Sequence, residues 1–446
     1  MKNIVLLIFK KHGIILFMKS FINIFLKIYN LLWIIILPIL KTNKELKKGF
    51  IQKTTASHLT KADVWIHGSS LGEAYLAIAI IKKLMPKKRK KILITSMTYA
   101  GISILKKEIK KNLIHKNIIC KISWFPFDMP NVMKNAVLKI KPEIMVLIET
   151  EIWPALFYNL KKQGSKIFIV NARLSKKSFK KYLITSFLWK QLSPDKILAV
   201  TKKDTKRFKK IFKTSNISTM KNIKFDTIYN DFKSIKKNEN QCFNKIINPE
   251  IPLSILASIR RQEEKYMEKI LKQILEKFPN QIIAIFPKHM NRINFWEKKL
   301  THLGYNVQLK SNITSFAKTG SIILWDKVGE LKHVYCVAAT TFIGGSLKPL
   351  GGQNFIEPII YGTQTVTGPF IDDFLWVGEN IFKKQIVKKA RNLNHAADIM
   401  LKNLKKPHNK KEHQKKALQY IKNNCGGTYK VCKLILENFE DINKSL

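Results

Sequence analysis

Acidic side chains are scarce in this sequence: 30 Asp and Glu stand against 81 Lys and Arg in 446 residues, for a formal net charge of +51. Nearly all of the basic residues are Lys, and they accompany an excess of Ile and Asn, which points to AT-rich codon usage rather than selection of each charge. Such a chain is drawn to anionic surfaces, phospholipid or lipopolysaccharide head groups included. It has no Arg-rich patch interleaved with aromatics and no signature of a nucleic-acid module, so no nucleic-acid partner is expected. The five cysteines (Cys120, Cys242, Cys336, Cys425 and Cys432) are odd in number, scattered and without a CxxC pair. That pattern argues against a disulfide framework and a zinc site and fits a reducing cytoplasm. No DxD triplet occurs, and no metal is assigned. No internal repeat is evident either.

Long uncharged apolar runs are also missing. The longest, 28–40, falls short of the ~20 residues that a spanning helix needs. Apolar runs 4–9, 14–17, 21–26 and 28–40 are broken by Lys10, Lys11, Lys19 and Lys27 and followed by Lys41, Lys44, Lys47 and Lys48. Lys11, Lys19 and Lys27 recur every eight residues, roughly one helical side, and can face head groups while the rest sinks into the acyl boundary. No small-residue cleavage site precedes Lys41, which disfavours a signal peptide. Residues 1–45 read as a membrane anchor facing the cytoplasm, interfacial or spanning once. The alternative is an apolar helix pair packed on the protein's own core.

At 46% hydrophobic content the chain is globular, and it is too long for one core. Short β-type runs at 64–67, 92–96, 118–124, 144–148, 166–170 and 196–200 alternate with helical patterns at 73–84, 100–110, 131–140, 152–163, 176–191 and 203–213. A polar stretch, 229–250, follows. A second alternation then has strands at 253–257, 282–286, 322–324, 341–343 and 364–367, and 410–442 reads as one or two helices. The reading is α/β, with two doubly wound parallel halves and a ligand cleft at the carboxyl ends of their strands.

Several motifs fall at those strand ends. Trp65 to Glu73 (WIHGSSLGE) leaves one strand and enters a helix, so Glu73 sits in the first turn, either as an ionised proton acceptor or as a capping glutamate. Glu149 and Glu151 in ETEIWP are two apart; in an extended chain they point to opposite faces, so one enters the cleft and helix capping accounts for the other. Lys288 in FPKH can meet a phosphate, and Val328, Gly329 and Glu330 begin a helix with unpaired N–H groups. The glycine pairs of GGSLKPLGGQNFIEP (344–358) let the backbone approach a bound group, and Glu357 is placed to hold a sugar hydroxyl. That segment reads as a nucleotide site.

Taken in order, HGSSLGE (67–73), PFDMP (126–130), ETEIWP (149–154), NARLS (171–175), KFD (224–226), PKH (287–289), GEL (329–331), GGSL (344–347), GGQNFIEP (351–358) and GP (368–369) resemble the 3-deoxy-D-manno-octulosonic acid (Kdo) transferases. The resemblance runs from about Val64 to Phe374. It implies a GT-B glycosyltransferase: a membrane anchor at 1–45, a Rossmann-like acceptor domain at 46–230, a Rossmann-like CMP-Kdo domain at 231–409 facing it across a cleft, and a helical tail at 410–446. It also implies metal-independent, inverting transfer of Kdo from CMP-Kdo to lipid IVA on the cytoplasmic side of the inner membrane, with no cofactor beyond that donor. Glu73 matches the family's proton acceptor, and Glu149 and Lys224 match positions that assist the transition state. Pro287, Lys288, Val328, Gly329, Glu330, Asn354, Phe355, Ile356 and Glu357 match CMP contacts.

The sequence also departs from that family. Lys288 replaces the usual Arg, Gln353 a His, Asp373 an Asn and Lys221 a Gly, and 257–264 (ASIRRQEE) has lost the His and Gly of a Ser-Thr-His…Gly-Glu-Glu pattern. Another GT-B enzyme with a different sugar nucleotide, or a CMP-binding membrane protein with impaired catalysis, are the alternatives.

Overall fold

The computed structural model describes residues 2–111, 114–212, 216–236, 246–248, 250–406 and 409–442. The polar stretch predicted over 229–250 lies partly outside them. Two compact units emerge, one of residues 1–227 with 425–446 and one of residues 228–424.

The first unit is built on β1 (Val64–His67), β2 (Lys90–Ser96), β3 (Ile118–Trp124), β4 (Ile144–Ile148), β5 (Lys166–Ala172), β6 (Lys196–Ala199) and β7 (Ile217–Thr219). They pair in parallel in the order β3-β2-β1-β4-β5-β6-β7. Side chains alternate across a strand, and both faces of this sheet are covered, so the central strands are apolar throughout. Val64 and Ile66 of β1 join one core with Ile144 and Val146, whereas Trp65 joins the other with Met145 and Leu147. The chain leaves β1 toward β2 and β3 on one side and returns to β4 on the other. The carboxyl ends of β1 and β4 are therefore the switch point at which a parallel sheet opens a crevice.

The second unit repeats the plan with β8 (Leu253–Ile259), β9 (Ile282–Pro287), β10 (Val307–Leu309), β11 (Ile322–Leu324), β12 (Ala338–Ile343), β13 (Gln364–Thr367) and β14 (Val387–Lys389). The order is β10-β11-β9-β8-β12-β13-β14, again parallel, with its switch point between β8 and β12. The α/β class expected from the alternation is what the chain adopts.

The tail forms two helices. Lys410–Asn423 belongs to the second unit, and Gly427–Ile442 returns to the first, where Val431, Cys432, Ile435 and Phe439 are buried. Asp226 receives that return: its carboxylate accepts the N–H groups of Gly426 and Thr428 and the Thr428 hydroxyl at 2.7–3.0 Å. Gly427 passes so close to the Lys221 carbonyl that a Cβ has no room.

The amino terminus is one continuous helix, Lys2–Thr42, not a pair. Ile22, Leu26 and Trp33 are covered by the first unit, while Ile24, Ile28, Leu31, Leu32, Ile34, Ile35, Ile36 and Ile39 are exposed. Because the helix continues through Lys27, its apolar span is longer than the uncharged run: Ile22–Thr42, with mean hydropathy 1.9, is long and apolar enough to cross a membrane. The following turn is tied down by Lys53. Its buried ammonium donates to the carbonyls of Leu46 and Lys48 at 3.1 and 2.8 Å and lies 4.5 Å from the centre of the Trp124 ring. Of the cysteines, Cys120, Cys425 and Cys432 are free thiols as expected, whereas Cys336 is disulfide-bonded.

Candidate active site

Glu73 enters the first unit's switch point from the β1 side. Ser70 caps the helix Leu71–Lys83 by accepting the Glu73 N–H at 3.3 Å, and Glu73 Oε2 accepts the Ser70 N–H at 3.2 Å, a reciprocal capping box. Of the two expected roles, the capping one is what this geometry displays. The hydrogen bonds at the helix start favour the ionised carboxylate, but burial and then the charge of Glu149 outweigh them, so the Glu73 pKa lies above the usual carboxylate value. Burial thus works against the ionised state expected from the helix dipole.

Glu149 arrives from the end of β4 with φ +63°, a left-handed conformation that glutamate rarely adopts. The turn breaks the alternation assumed from sequence, so the charge of Glu149 raises the Glu73 pKa, and those of Glu73 and Glu149 raise that of Glu151. Glu149 Oε1 accepts from Lys224 Nζ at 3.2 Å and lies 3.9 Å from Arg173 Nη1. Lys224 owes its place to two side chains: Asn171 Oδ1 accepts the Ile223 N–H at 3.0 Å, and Asn222 Oδ1 accepts the Lys224 N–H at 2.9 Å.

Glu151 caps no helix. It accepts from the Trp153 indole at 2.7 Å, and burial, followed by the Glu73 charge, pushes its pKa up to about 7. The helix Pro154–Gln163 is capped instead by Asp128, which accepts the N–H groups of Ala155 and Leu156 at 3.0 and 2.8 Å. Asp128 is fully buried, which raises its pKa to about 7, and it also bonds the Tyr29 hydroxyl of the amino-terminal helix. His67 stacks on Phe125 with ring centroids 3.7 Å apart, and burial lowers its pKa to about 3. It is neutral, so its 3.8 Å approach to Glu151 is no ion pair.

In the second unit the first glycine pair does not offer its N–H groups to a ligand. The carboxylate of Glu263 takes those of Gly345, Ser346 and Leu347, at 2.9 and 2.8 Å for the last two. A buried carboxylate needs such donors, and three backbone N–H groups converging in one turn satisfy it. Gly344 packs against the Ser258 carbonyl with no space for a Cβ, and Ser258 itself has φ +54°.

The remaining positions follow strands of the same sheet. Pro287 ends β9 and Lys288 comes directly after it. Val328 is 81% exposed, Gly329 has φ +90°, and Glu330 accepts from the Trp325 indole at 2.9 Å and pairs with Lys310 at 3.3 Å. Asn354 donates to Glu357 at 2.8 Å, and burial raises the Glu357 pKa. Phe355 and Ile356 turn their side chains into the core, which leaves only their backbone for a ligand. Among the described residues no three His, Cys, Asp or Glu side chains converge as metal ligands would.

Residues 44–227, which carry Glu73, Glu149 and Lys224, match the family model described as 3-Deoxy-D-manno-octulosonic-acid transferase (kdotransferase). Over most of its length the chain is similar to curated Kdo transferases. It is 26% identical over 344 residues to the 3-deoxy-D-manno-octulosonic acid transferase of Haemophilus influenzae, covering 76% of this chain and 77% of that one. Against a bifunctional glycosyltransferase/methyltransferase of Fusobacterium nucleatum it is 28% identical over 378 residues. That match covers 82% of this chain, and the chain spans 57% of that relative's length. A crystal structure of a Rickettsia africae glycosyltransferase, 14% identical, superposes with a TM-score of 0.53 over 85% of this chain and 99% of its own. At that identity the likeness speaks for the GT-B-like fold.

The residues that sequence reasoning missed here are Arg173, Asp128 and Glu263, and Glu151 was given the wrong task. Arg173 and Asp128 stand inside motifs that were recognised, NARLS and PFDMP, so the motifs themselves were the available signal.

Proposed function

We propose that this protein transfers Kdo from CMP-Kdo to lipid IVA, inverting the anomeric centre without a metal ion, at the cytoplasmic face of the inner membrane. The observation that carries the reading is Glu73: a carboxylate with raised pKa, beside the Glu149–Lys224 pair, at the switch point of the first unit. Glu73 accepts the proton of an acceptor hydroxyl as that oxygen bonds to the anomeric carbon. The bond from that carbon to the phosphate oxygen breaks, and its electron pair leaves with CMP. Lys224 holds Glu149 in place and contributes positive charge near the reacting oxygen.

On the donor side, Lys288 supplies a cation for the phosphate, and Asn354 and Glu357 offer polar groups to the nucleotide. The exposed apolar face of the amino-terminal helix supports residence at the membrane, where an amphipathic acceptor lies. Incubating the purified protein with lipid IVA and CMP-Kdo, and weighing the product, tests the reading. A mass increase of one or more Kdo units is expected. No increase, or competition by UDP rather than CMP, overturns it.

A further inference from the structure

Arg260 lies one residue past β8, and Lys288 one residue past β9. The two strands are paired at Ile259 with Pro287, and the Lys288 N–H donates to the Ile259 carbonyl at 2.8 Å. The register therefore sets the two cations side by side at the sheet's carboxyl edge, next to the switch point.

Among the described residues the Arg260 side chain has no hydrogen bond or ion pair, and its Nε is shut off from solvent without a partner. A buried donor left open in this way is uncommon. Both carboxylates in its own loop are already committed: Glu263 to the N–H groups of Gly345, Ser346 and Leu347, and Glu264 to a bidentate pair with Arg292 at 2.8 and 2.6 Å. Since Glu263 also fills the glycine turn, that turn has no N–H groups left for an anion. Anion capture at this edge falls to side chains. The positive charge of Arg260 makes Lys288 easier to deprotonate, second to the effect of burial, while Glu357 acts in the opposite sense.

We propose that Arg260 is a second cation for the donor's phosphate, binding beside Lys288. This rests on the CMP-Kdo reading. A sugar–nucleotide phosphodiester carries one negative charge, and the CMP it releases carries close to two at neutral pH. A second cation thus gains most as the bond breaks. The guanidinium fork restores the two-point oxyanion contact that Lys288, a point charge, does not provide.

The test is calorimetric titration of the full-length protein in detergent with CMP and with cytidine. In Arg260→Gln, affinity for CMP falls about ten- to hundredfold, as for loss of a hydrogen bond to a charged group, while cytidine affinity is unchanged. Arg260→Lys, which keeps the charge without the fork, lies between, and it carries the comparison if the glutamine variant does not fold. Unchanged CMP affinity overturns the proposal, as does an equal loss for CMP and cytidine, which marks a merely structural residue. A loss seen with CMP-Kdo alone overturns it too, by placing Arg260 on the sugar. Failure of the unaltered protein to bind CMP instead removes the donor reading beneath it.

Discussion

Replacing Glu263 with glutamine keeps the side chain's volume but exchanges one accepting oxygen for an amide NH2 group. Three backbone N–H groups, those of Gly345, Ser346 and Leu347, converge on the carboxylate in a turn where Ser346 is fully buried. An amide oxygen in the place of Oε1 still meets the Ser346 and Leu347 N–H groups, now as an uncharged acceptor, while the NH2 group faces the Gly345 N–H as a competing donor. At about 1.5–3 kcal/mol for a hydrogen bond to a charged group and about 0.5–1.5 kcal/mol for a neutral one, losing one bond and weakening two costs roughly 3–6 kcal/mol, partly offset where water reaches Leu347. The second unit has the length of a domain that shifts about 2–4 °C for each kcal/mol, so its melting temperature falls by about 6 °C or more. Scanning calorimetry of the two proteins measures this. A glutamine variant melting within 1 or 2 °C of the original would refute the argument that the glycine turn is already filled.

Glu73→Gln lowers kcat about hundredfold or more and leaves CMP affinity alone; near-normal turnover would end its role as base. Because burial and the Glu149 charge raise the Glu73 pKa, kcat/KM climbs as pH rises through that raised value. Glu149→Gln removes the neighbouring charge and moves this limb to lower pH, which a pH–rate profile reads directly. Asp128, with its pKa raised to about 7 in the folded protein, holds its proton more tightly than the unfolded chain does. Its contribution to stability therefore falls as pH climbs from about 4 to 7 and then levels off. Melting curves of Asp128→Asn and the original protein converge, or cross in the variant's favour, over that interval; a constant difference contradicts the assignment.

Every strand long enough to be buried on both faces was legible, because β1, β4 and β9 are uninterrupted apolar runs between turns. β7, β10 and β14 were not. Each has three residues, β7 and β14 lie at sheet edges and β10 at another, and their burial is partial, so no apolar run announces them. The helical pattern 176–191 breaks at Thr185 into Lys176–Ile184 and Ser186–Gln191, which periodicity alone does not mark. At the candidate site, the positions of Glu73, Glu149 and Lys288 at strand ends followed from the alternation. The left-handed backbone at Glu149 and the long-range bonds of Asp128 and Glu263 did not, since sequence spacing carries no information about groups 27 or 82 residues apart.

The left-handed turn at Glu149 also constrains how this position can change over generations. Glycine relaxes that backbone most, a gain of about 1 kcal/mol, yet glycine has no carboxylate for Lys224. Alanine keeps the strain and loses the charge as well. Aspartate tolerates the turn better but ends one methylene short of Lys224, so the site is held between durability and chemistry: an E149G protein melts higher than E149A and turns over no faster.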